Sequence, residues 1–405
     1  MISGRTAGLL FVLAVIVAGL LAVAIFRPEP PADRLVTRVT NFSSIKGWPE
    51  DDTRDALSAF RRSCTRLMTL PEERSMGADG MAGTVADWRP ACRAALELVA
   101  ADAEGARRYF QTWFRPVIVR NNGDDLGLFT GYYEPILRGS RQRSDRFRYP
   151  LYEMPSHFIS VDLGEFKKDL AGQRVVGRVV GNRLRPAENR AEIETGGLDG
   201  KAKVLLWVDD PVDVFFLHIQ GSGLVELAEG GVQRVGFAGT NGHAYTAVGR
   251  TLIARGEVPV EQMSMQAIRS WLRANPDQAQ ALMNENASYV FFRPIAGAAA
   301  IGSQGVELTA RRSIAIDPKW IAMGIPVWLD TFVKESDERN PGPTKLRRLF
   351  VTQDTGGAIR GVVRGDVFWG TGEEPAILAG GMREYGRYYA FLPRELLQRR
   401  AREEP

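Results

Sequence analysis

The feature that most limits the fold of this chain is a series of short apolar runs separated by turn residues, from Leu126 onward. Strand candidates recur as LGLFTGYYEPIL, RVVGRVVGNRL, AEIETG, KVLLWV, DVFFLHIQGSG and SYVFFRP. The sequence contains 42 glycines and 22 prolines, which supply turns between such runs. Short, closely spaced strands are typical of an antiparallel barrel or sandwich and argue against repeated βαβ units. A mainly β fold is therefore predicted.

Two stretches with helical periodicity interrupt this pattern. Residues 48–120 predict helices punctuated by Pro90 and Pro116, and residues 244–285 predict helices broken by turn residues. The chain has 405 residues, which exceeds one typical core. We therefore expect two domains, or one domain interrupted by another.

The N-terminus carries the clearest topological signal. Residues 8–26, GLLFVLAVIVAGLLAVAIF, follow Arg5 without a charge, and this length can span the hydrocarbon core of a bilayer. Because the charged side before the run is short, the rest of the chain is predicted to be exported. Residues 1–27 are assigned to an uncleaved signal anchor, in preference to a signal peptide cleaved near Ala24. Residues 28–46 are predicted to be a linker that starts with a proline-rich spacer.

The two cysteines, Cys64 and Cys92, both lie in segments with helical periodicity. In an exported protein they could form a disulfide that joins two helices. They could equally be two small buried side chains, because the sequence does not give the separation of their Cβ atoms. Both interpretations remain open.

Several chemistries lack the residues that they need. The histidines, His157, His218 and His243, have no partner at metal-ligand spacing, and no Cys-x-x-Cys or His-Glu-x-x-His sequence occurs. No phosphate-binding loop, dinucleotide glycine pattern or Gly-x-Ser-x-Gly elbow appears in a suitable context. The net charge of +4, without a Lys/Arg block, does not support nucleic-acid binding. We therefore expect no metal and no other cofactor.

Carboxylates in the C-terminal third remain as candidates for chemistry. Asp317 precedes Pro318 and is suited to cap a helical turn, and Asp354 ends a strand before Thr-Gly-Gly, where it can hold a turn. Asp366 differs because the apolar run Val-Phe-Trp-Gly follows it, and turn chemistry does not require it. A carboxyl group held against aromatic side chains loses hydration, which raises its pKa and suits a general acid.

The sequence Asp354-Thr355-Gly356 also matches the three-residue signature of an aspartic protease. A single copy needs a dimer to supply the second carboxylate, and Gln353 precedes the motif where a small residue is usual. Because the flanking residues do not complete the pattern, cleavage of a glycosidic bond by a buried carboxylic acid is the stronger interpretation.

Three glycine-bounded segments combine aromatic and polar side chains, namely Phe129–Pro135, His218–Gly223 and Gly239–Tyr245. Aromatic faces stack on sugar rings, and amides and hydroxyls near glycine reach sugar hydroxyls and acetamides. Core packing of the tyrosines is the alternative. The predicted substrate-binding residues, including two from later motifs, are Thr130, Gly131, Tyr132, Tyr133, Gln220, Ser222, Asn241, His243, Tyr245, Arg293 and Gly370.

Several motifs in a fixed order resemble those of the membrane-bound lytic murein transglycosylase A family. They are TGYYEP, FFLHIQGSG, AGTNGHAYTAVGR, NASYVFFR and QDTGGAIRG followed by GDVFWGTG. The match runs through most of residues 120–392, and its C-terminal part is similar to the three-Asp (3D) domain. The resemblance implies an α+β fold, mainly β with helices. In it, a double-psi β-barrel is interrupted by an inserted smaller β-barrel, with a glycan groove between them.

The same resemblance implies domain boundaries. Residues 47–136 and 294–405 would form the double-psi β-barrel (3D) domain together with the N-terminal helices. Residues 137–293 would form the inserted domain.

The resemblance also implies the chemistry. Asp366 occupies the position of the family's single catalytic acid/base, and Asp354 and Asp317 look like the other two aspartates of the 3D pattern. The implied reaction cleaves the MurNAc-β-1,4-GlcNAc bond of peptidoglycan and forms 1,6-anhydro-MurNAc ends, in cell-wall remodelling. Two other classes remain open, namely a non-catalytic peptidoglycan-binding protein and a glycoside hydrolase with a second working carboxylate.

Known members of that family are commonly outer-membrane lipoproteins, and this chain has no cysteine directly after its apolar run to accept a lipid. We therefore expect a periplasmic protein of the Gram-negative envelope, anchored in the inner membrane through the N-terminal apolar segment or secreted. The expected partners are peptidoglycan glycan strands, with other cell-wall synthesis or hydrolysis proteins as further candidates. Arg138, Arg360 and Arg364 are candidates to contact the muramyl peptides of the substrate.

Overall fold

The computed structural model describes residues 32–77, 80–98, 101–170, 173–297, 299–334 and 342–403. The chain from Leu35 onward forms one compact unit. The predicted signal segment, residues 1–27, lies outside the described residues, among which no helix is long and apolar enough to cross a membrane. The folded part begins within the predicted linker, residues 28–46, because Leu35–Val39 already forms a strand.

The strands are β1 (Leu35–Val39), β2 (Phe114–Asn121), β3 (Gly127–Glu134), β4 (Ile136–Ser140), β5 (Tyr149–Tyr152), β6 (Phe158–Asp162), β7 (Arg174–Val180), β8 (Arg183–Pro186), β9 (Val204–Val208), β10 (Ser222–Leu227), β11 (Val232–Thr240), β12 (Val290–Ile295), β13 (Ser313–Ile316), β14 (Pro326–Lys334), β15 (Pro343–Asp354), β16 (Arg364–Thr371) and β17 (Arg383–Pro393). The α-helices are α1 (Arg54–Leu67), α2 (Val85–Glu97), α3 (Ala103–Trp113), α4 (Arg190–Glu192), α5 (Pro211–Gln220), α6 (Val248–Ala254), α7 (Met265–Ala274), α8 (Pro276–Asn284), α9 (Glu373–Gly381) and α10 (Arg394–Glu403).

The larger sheet closes on itself. Its strand order is β1-β2-β17-β14-β15-β13-β16-β3, and a further pairing joins β17 to β3, so the six strands from β17 to β3 form a closed barrel. Within this ring, β13–β15 and β16–β3 are parallel pairs, and the other pairs are antiparallel. Because β3 precedes the insertion and the other five strands follow it, the barrel is assembled from two separated parts of the chain.

The chain between β3 and β13 builds a second set of sheets. One has the order β12-β11-β10-β4-β9-β5, and the other is the three-stranded sheet β6-β7-β8. The barrel and the N-terminal helices share one large hydrophobic core, and the insertion has smaller cores of its own. The predicted α+β class, a β-barrel interrupted by an inserted β domain, is confirmed. The boundaries at 47–136, 294–405 and 137–293 stay a prediction.

Two segments predicted as strands are helical. In DVFFLHIQGSG, Asp210 caps α5 by accepting a backbone N–H at 2.8 Å, Pro211 occupies the first turn, and Gly221 ends the helix with a φ of 81°. Its continuous apolar run reflects a helix buried on several sides. AEIETG begins with the short helix α4, because Asn189 and Glu192 form a capping box.

The two cysteines are joined in a disulfide. Cys64 on α1 and Cys92 on α2 have Cα atoms 5.0 Å apart, so one of the two open interpretations is confirmed. Closing a loop of this size stabilises a fold by about 3 kcal/mol. Pro90 was expected to end a helix, but it lies inside α2. A capping box of Thr84 and Asp87 fixes the first turn of this helix.

A buried ion pair links the barrel to the inserted sheets. Glu134 at the end of β3 is fully buried, and Arg234 on β11 donates to its two oxygens at 2.8 and 3.1 Å. Thr371 at the end of β16 donates to the same carboxylate at 2.8 Å. Arg234 also donates to the Gly297 carbonyl at 2.9 Å, just beyond β12. The Arg234 guanidinium therefore contacts Glu134, where the chain enters the insertion, and Gly297, just after the chain leaves it.

Replacing Arg234 with methionine should lower the free energy of unfolding by about 3–5 kcal/mol, because it leaves Glu134 buried without a counter-charge. Urea unfolding at neutral pH measures this loss. The double variant Glu134→Gln/Arg234→Met should recover a large part of it, since no unpaired charge then remains. A loss below about 1 kcal/mol in the single variant would show that this pair is not needed to join the two parts.

Candidate active site

Asp366 lies in the barrel wall on β16, the strand that pairs with β3 from the other side of the insertion. On β16 it stands opposite Thr130 of the parallel strand β3 and opposite Ala315 of the antiparallel strand β13. Its carboxyl group is surrounded by protein but keeps partial access to solvent. This position suits a group that must be desolvated and still reach a substrate.

A short chain of hydrogen bonds fixes the Asp366 carboxyl group. Thr130 Oγ1 donates to Asp366 Oδ1, and Arg364 Nη2 donates to Thr130 Oγ1 at 2.9 Å. Because the guanidinium has no acceptor, the threonine hydroxyl must direct its own proton at the carboxyl group. Asp366 Oδ1 is therefore held as an acceptor, and Oδ2 is the oxygen left to carry an exchangeable proton.

Asp354, at the end of β15, is held differently. Its Oδ1 accepts the backbone N–H groups of Ser303 and Thr355, each at 2.9 Å, and its Oδ2 accepts the Tyr132 hydroxyl at 2.8 Å. Burial, together with the adjacent Asp354 charge, raises the pKa of Tyr132 well above its usual value, so this hydroxyl stays protonated and donates. Three donors to one carboxyl group favour its charged form.

The same effect raises the pKa of Asp354 and of Asp366, but different groups oppose the rise at each. Burial raises the pKa of both. At Asp366 the charge of Arg364 and the Thr130 hydroxyl oppose the rise, and the neighbouring Asp354 adds to it. At Asp354 its backbone and tyrosine donors oppose the rise. With fewer donors, Asp366 is better suited to carry a proton, and Asp354 is better suited to carry a charge.

Asp317 is held by a different set of contacts. It is buried directly after β13, where its Oδ1 accepts the Lys319 N–H at 3.1 Å and its Oδ2 accepts the Gly361 N–H at 2.9 Å. Asp317 therefore joins its own turn to the loop between Asp354 and Asp366, as a capping aspartate does. Its contacts support positioning of that loop rather than contact with a substrate.

Two predicted glycines let aromatic side chains pack beside the acid. A Cβ atom on Gly131 would lie 2.4 Å from Trp369 Nε1, so only glycine fits there. Gly370 has a φ of 113°, which residues with a side chain rarely adopt, at the shift in register between β16 and β3. The ring of Tyr132 lies 5.2 Å from that of Phe368. These contacts place aromatic rings on β3 and β16, and desolvation of Asp366 by the aromatic run stays a prediction.

The segment after α5 meets β3 through a polar contact. Gln220 Oε1 accepts the Tyr133 N–H at 3.1 Å, which joins the insertion to the barrel. Tyr133 itself belongs to the large hydrophobic core, so the alternative of core packing is correct for its side chain. Ser222 begins β10 and stays partly exposed, as do Gln220 and Thr130.

The loop Gly239–Tyr245 contributes less to a surface than predicted. Asn241 is fully buried, with its amide group donating to the Glu188 and Ala287 carbonyls, each at 2.9 Å, and its oxygen accepting the Tyr289 N–H. No part of it is left for a ligand, because every amide atom is used by backbone groups. The prediction that Asn241 lines a groove is therefore not supported, and it acts as a clamp on this loop.

The remaining predicted residues lie at or near the surface of the insertion. His243 is partly buried, and its Nε2 lies 2.8 Å from the Ala187 carbonyl. Tyr245 is 43% exposed. Arg293 is exposed on β12, with its Nε donating to the Phe237 carbonyl at 3.3 Å. The contacts described give no bond between these three side chains and either catalytic-site carboxyl group.

Sequence reasoning missed Ser303 and the role of Arg364 in holding Thr130. The backbone N–H of Ser303 donates to Asp354, and a backbone donor leaves no side-chain signal in a sequence. Arg364 was considered only as a contact for peptides. Its position two residues before Asp366 places both side chains on the same face of β16, which a period-two pattern would have indicated.

The closed barrel, the inserted β sheets and a carboxyl pair in the wall place this chain among the double-psi β-barrel proteins with an acidic site. Residues 128–293 match the model of the MltA specific insert domain, and residues 312–392 match that of the 3D domain. The crystal structure of membrane-bound lytic murein transglycosylase from Agrobacterium tumefaciens is 30% identical, with a TM-score of 0.79, over 90% of this chain and 99% of that one. The chain belongs to the membrane-bound lytic murein transglycosylase A family.

Two comparisons with Escherichia coli extend this finding. The K12 membrane-bound lytic murein transglycosylase A is 35% identical over 263 residues, which are 64% of this chain and 64% of that protein. The matched region therefore spans just under two thirds of that relative. The crystal structure of E. coli MltA with bound chitohexaose is 27% identical, with a TM-score of 0.64, over 89% of this chain and 94% of that one.

The raised pKa of Asp366 predicts a pH-dependent gain in stability for Asp366→Asn. Because the folded state holds the proton more tightly, this group stabilises the fold at low pH and loses that contribution as pH rises through its folded pKa. Asparagine does not ionise, so this loss of stability does not occur, and its amide oxygen can still accept the Thr130 hydroxyl. We expect a higher thermal midpoint than wild type at neutral pH, and no difference below about pH 4, where both states are protonated. Calorimetry across pH measures this, and a variant less stable than wild type at neutral pH would contradict it.

Proposed function

We propose that this chain cleaves the β-1,4 bond between N-acetylmuramic acid and N-acetylglucosamine in peptidoglycan and releases 1,6-anhydro-muramic ends. The observation that carries the proposal is one desolvated acid, Asp366, at a partly open position in the barrel wall of a family member. Chitohexaose, bound by the E. coli relative, is a β-1,4-linked chain of the same kind of sugar, which supports a glycan strand as the substrate.

In the first step, Asp366 Oδ2 donates its proton to the glycosidic oxygen. The bond from that oxygen to the muramic anomeric carbon breaks, and the N-acetylglucosamine part leaves with the proton. Positive charge develops on the anomeric carbon. Asp354 is suited to stabilise that charge, because its three donors favour its carboxylate form.

In the second step, Asp366, now a carboxylate, removes the proton from the C6 hydroxyl of the same muramic sugar. The C6 oxygen then bonds to the anomeric carbon and closes the 1,6-anhydro ring, which restores the protonated acid. An intramolecular hydroxyl has a high effective concentration, so it reacts before bulk water. One carboxyl group therefore serves as acid and then as base, and no metal or other cofactor is required.

The partly exposed predicted residues supply the substrate-binding side of this proposal. Thr130 lies on β3, and Gln220 and Ser222 lie on segments that approach this strand. Their polar groups are suited to sugar hydroxyls and acetamides. Tyr245 and Arg293 are exposed on the insertion, where an extended glycan could pass. Tyr133 and Asn241 are not part of this surface, because both are buried.

We further propose that the folded part works on the periplasmic side of a Gram-negative envelope, where its substrate lies. The apolar run at residues 8–26 would act as an inner-membrane anchor or an export signal. The names of the curated relatives, which are membrane-bound, support association with the envelope.

The reaction is tested by incubating the purified full-length protein with peptidoglycan and identifying the released muropeptides by mass spectrometry. Products one water lighter than hydrolysis products should form with wild type and fall by at least about a thousandfold with Asp366→Asn, since the only acid is lost. Asp354→Asn should be less damaging and retain anhydro products. Reducing ends without the anhydro ring would mean that water is the nucleophile. Glycan binding without any release would support the non-catalytic alternative.

Removing the Thr130 hydroxyl tests the hydrogen-bond chain. That hydroxyl lowers the pKa of Asp366, so Thr130→Val should raise the pKa further and move the alkaline limb of the pH–rate profile upward. The maximal rate should fall roughly tenfold, because the carboxyl group is no longer oriented. Thr130→Ser keeps a hydroxyl and is the matched control. An unshifted limb in Thr130→Val would remove this residue from the mechanism.

A further inference from the structure

A cavity of about 300 Å³ lies beside the candidate site. The end of α1, the chain that follows it to Gly77, and the turns at 303–304 and 318–323 form its walls. Asp366, Asp354 and Thr130 are not among its lining residues. Its volume is at the lower end of what small-molecule sites occupy, so it could hold a short peptide rather than a further sugar chain.

The cavity shares a wall with the carboxyl pair. Ser303 lines the cavity, and its backbone N–H donates to Asp354 Oδ1 at 2.9 Å. The next residue, Gln304, also lines the cavity, and its N–H donates to the Gln353 carbonyl at 3.1 Å. Gln304 Oε1 in turn accepts the Ser63 hydroxyl at 2.8 Å. The cavity therefore begins at Ser303, one of the residues that hold Asp354.

The lining is cationic at its exposed side and apolar beneath. Arg66 and Arg74 are both exposed, and no carboxyl group is among the described lining residues. Glu72 and Glu73 directly precede Arg74 in sequence, but neither lines the cavity, and Glu72 is paired with Arg89. Leu67 and Ile321 are buried and supply part of the apolar surface. Two guanidinium groups above an apolar floor suit a short chain that carries carboxylates.

The proposed substrate carries such a chain at the sugar that is cut. Every muramic acid bears a short peptide on its lactyl ether, and that peptide has free carboxylates. Because the muramic anomeric carbon must lie against Asp366 and Asp354, its peptide has to leave the site close to these residues. We propose that this cavity, the stem pocket, binds the carboxylates of that peptide through Arg66 and Arg74. This inference rests on the proposed function.

The experiment compares two substrates with the full-length protein. One is peptidoglycan with intact peptides, and the other is the same glycan after an amidase has removed them. Arg66→Gln/Arg74→Gln should lower kcat/KM for anhydro-product release roughly tenfold on the intact substrate, since two charged hydrogen-bonded contacts are lost. The same variant should act like wild type on the bare glycan. Arg108→Gln, which removes an exposed arginine paired with Glu104 on α3, is the matched control and should change neither rate.

The other outcomes of this comparison separate failure of the stem pocket from failure of the proposed reaction. An equal loss on both substrates, or no loss on either, would overturn the stem pocket. If wild type releases no anhydro product from either substrate, the proposed function fails. In that case, calorimetry with a synthetic stem tetrapeptide tests the pocket by itself. Binding by wild type that weakens roughly tenfold in the double variant supports it, and equal or absent binding overturns it.

Discussion

The parallel pairing of β16 with β3 is the interaction on which the rest of the site depends. It sets Asp366 opposite Thr130, residues that are 236 positions apart in sequence. The antiparallel pairing of β3 with β17 then closes the barrel. A shift of one residue in this register would turn the Asp366 side chain to the other face of the sheet. The register of one strand pair therefore creates the acid, its hydrogen-bond partner and the closed barrel together.

Burial alone does not assign the two carboxyl groups to different tasks, because it raises the pKa of both. The number and kind of donors separate them. Asp354 receives two backbone N–H groups and a tyrosine hydroxyl, all of which stabilise a negative charge. Among the described residues, Asp366 receives one side-chain hydroxyl, at Oδ1. In the proposed mechanism, this difference in donors makes Asp366 the proton carrier and Asp354 the charged group, through both backbone and side-chain contacts.

The sequence was informative where local pattern and structure agree, and it failed where tertiary contacts decide. The segment RVVGRVVGNRL, predicted to be a strand, is found as β7 and β8. The DVFFLHIQ segment was misread because a helix buried on several sides has the same continuous apolar composition as a buried strand. Its cap at Asp210 and its Gly221 stop were the signals that could have corrected this. Asn241 was misread because a polar residue among glycines is equally suited to clamp a loop.

The inserted domain is attached to the same pair of strands, β3 and β16, that carries Asp366. Thr130 and Glu134 lie four residues apart on β3, which is about 13 Å along a strand. Glu134 binds Thr371 of β16 on one side and Arg234 of the insertion on the other. Because both charges are buried, their separation would expose an unpaired charge to a poorly hydrated environment, at a cost of several kcal/mol. Any surface that the insertion presents to a glycan is therefore held at a fixed distance from Asp366, which is what cleavage at a defined bond requires.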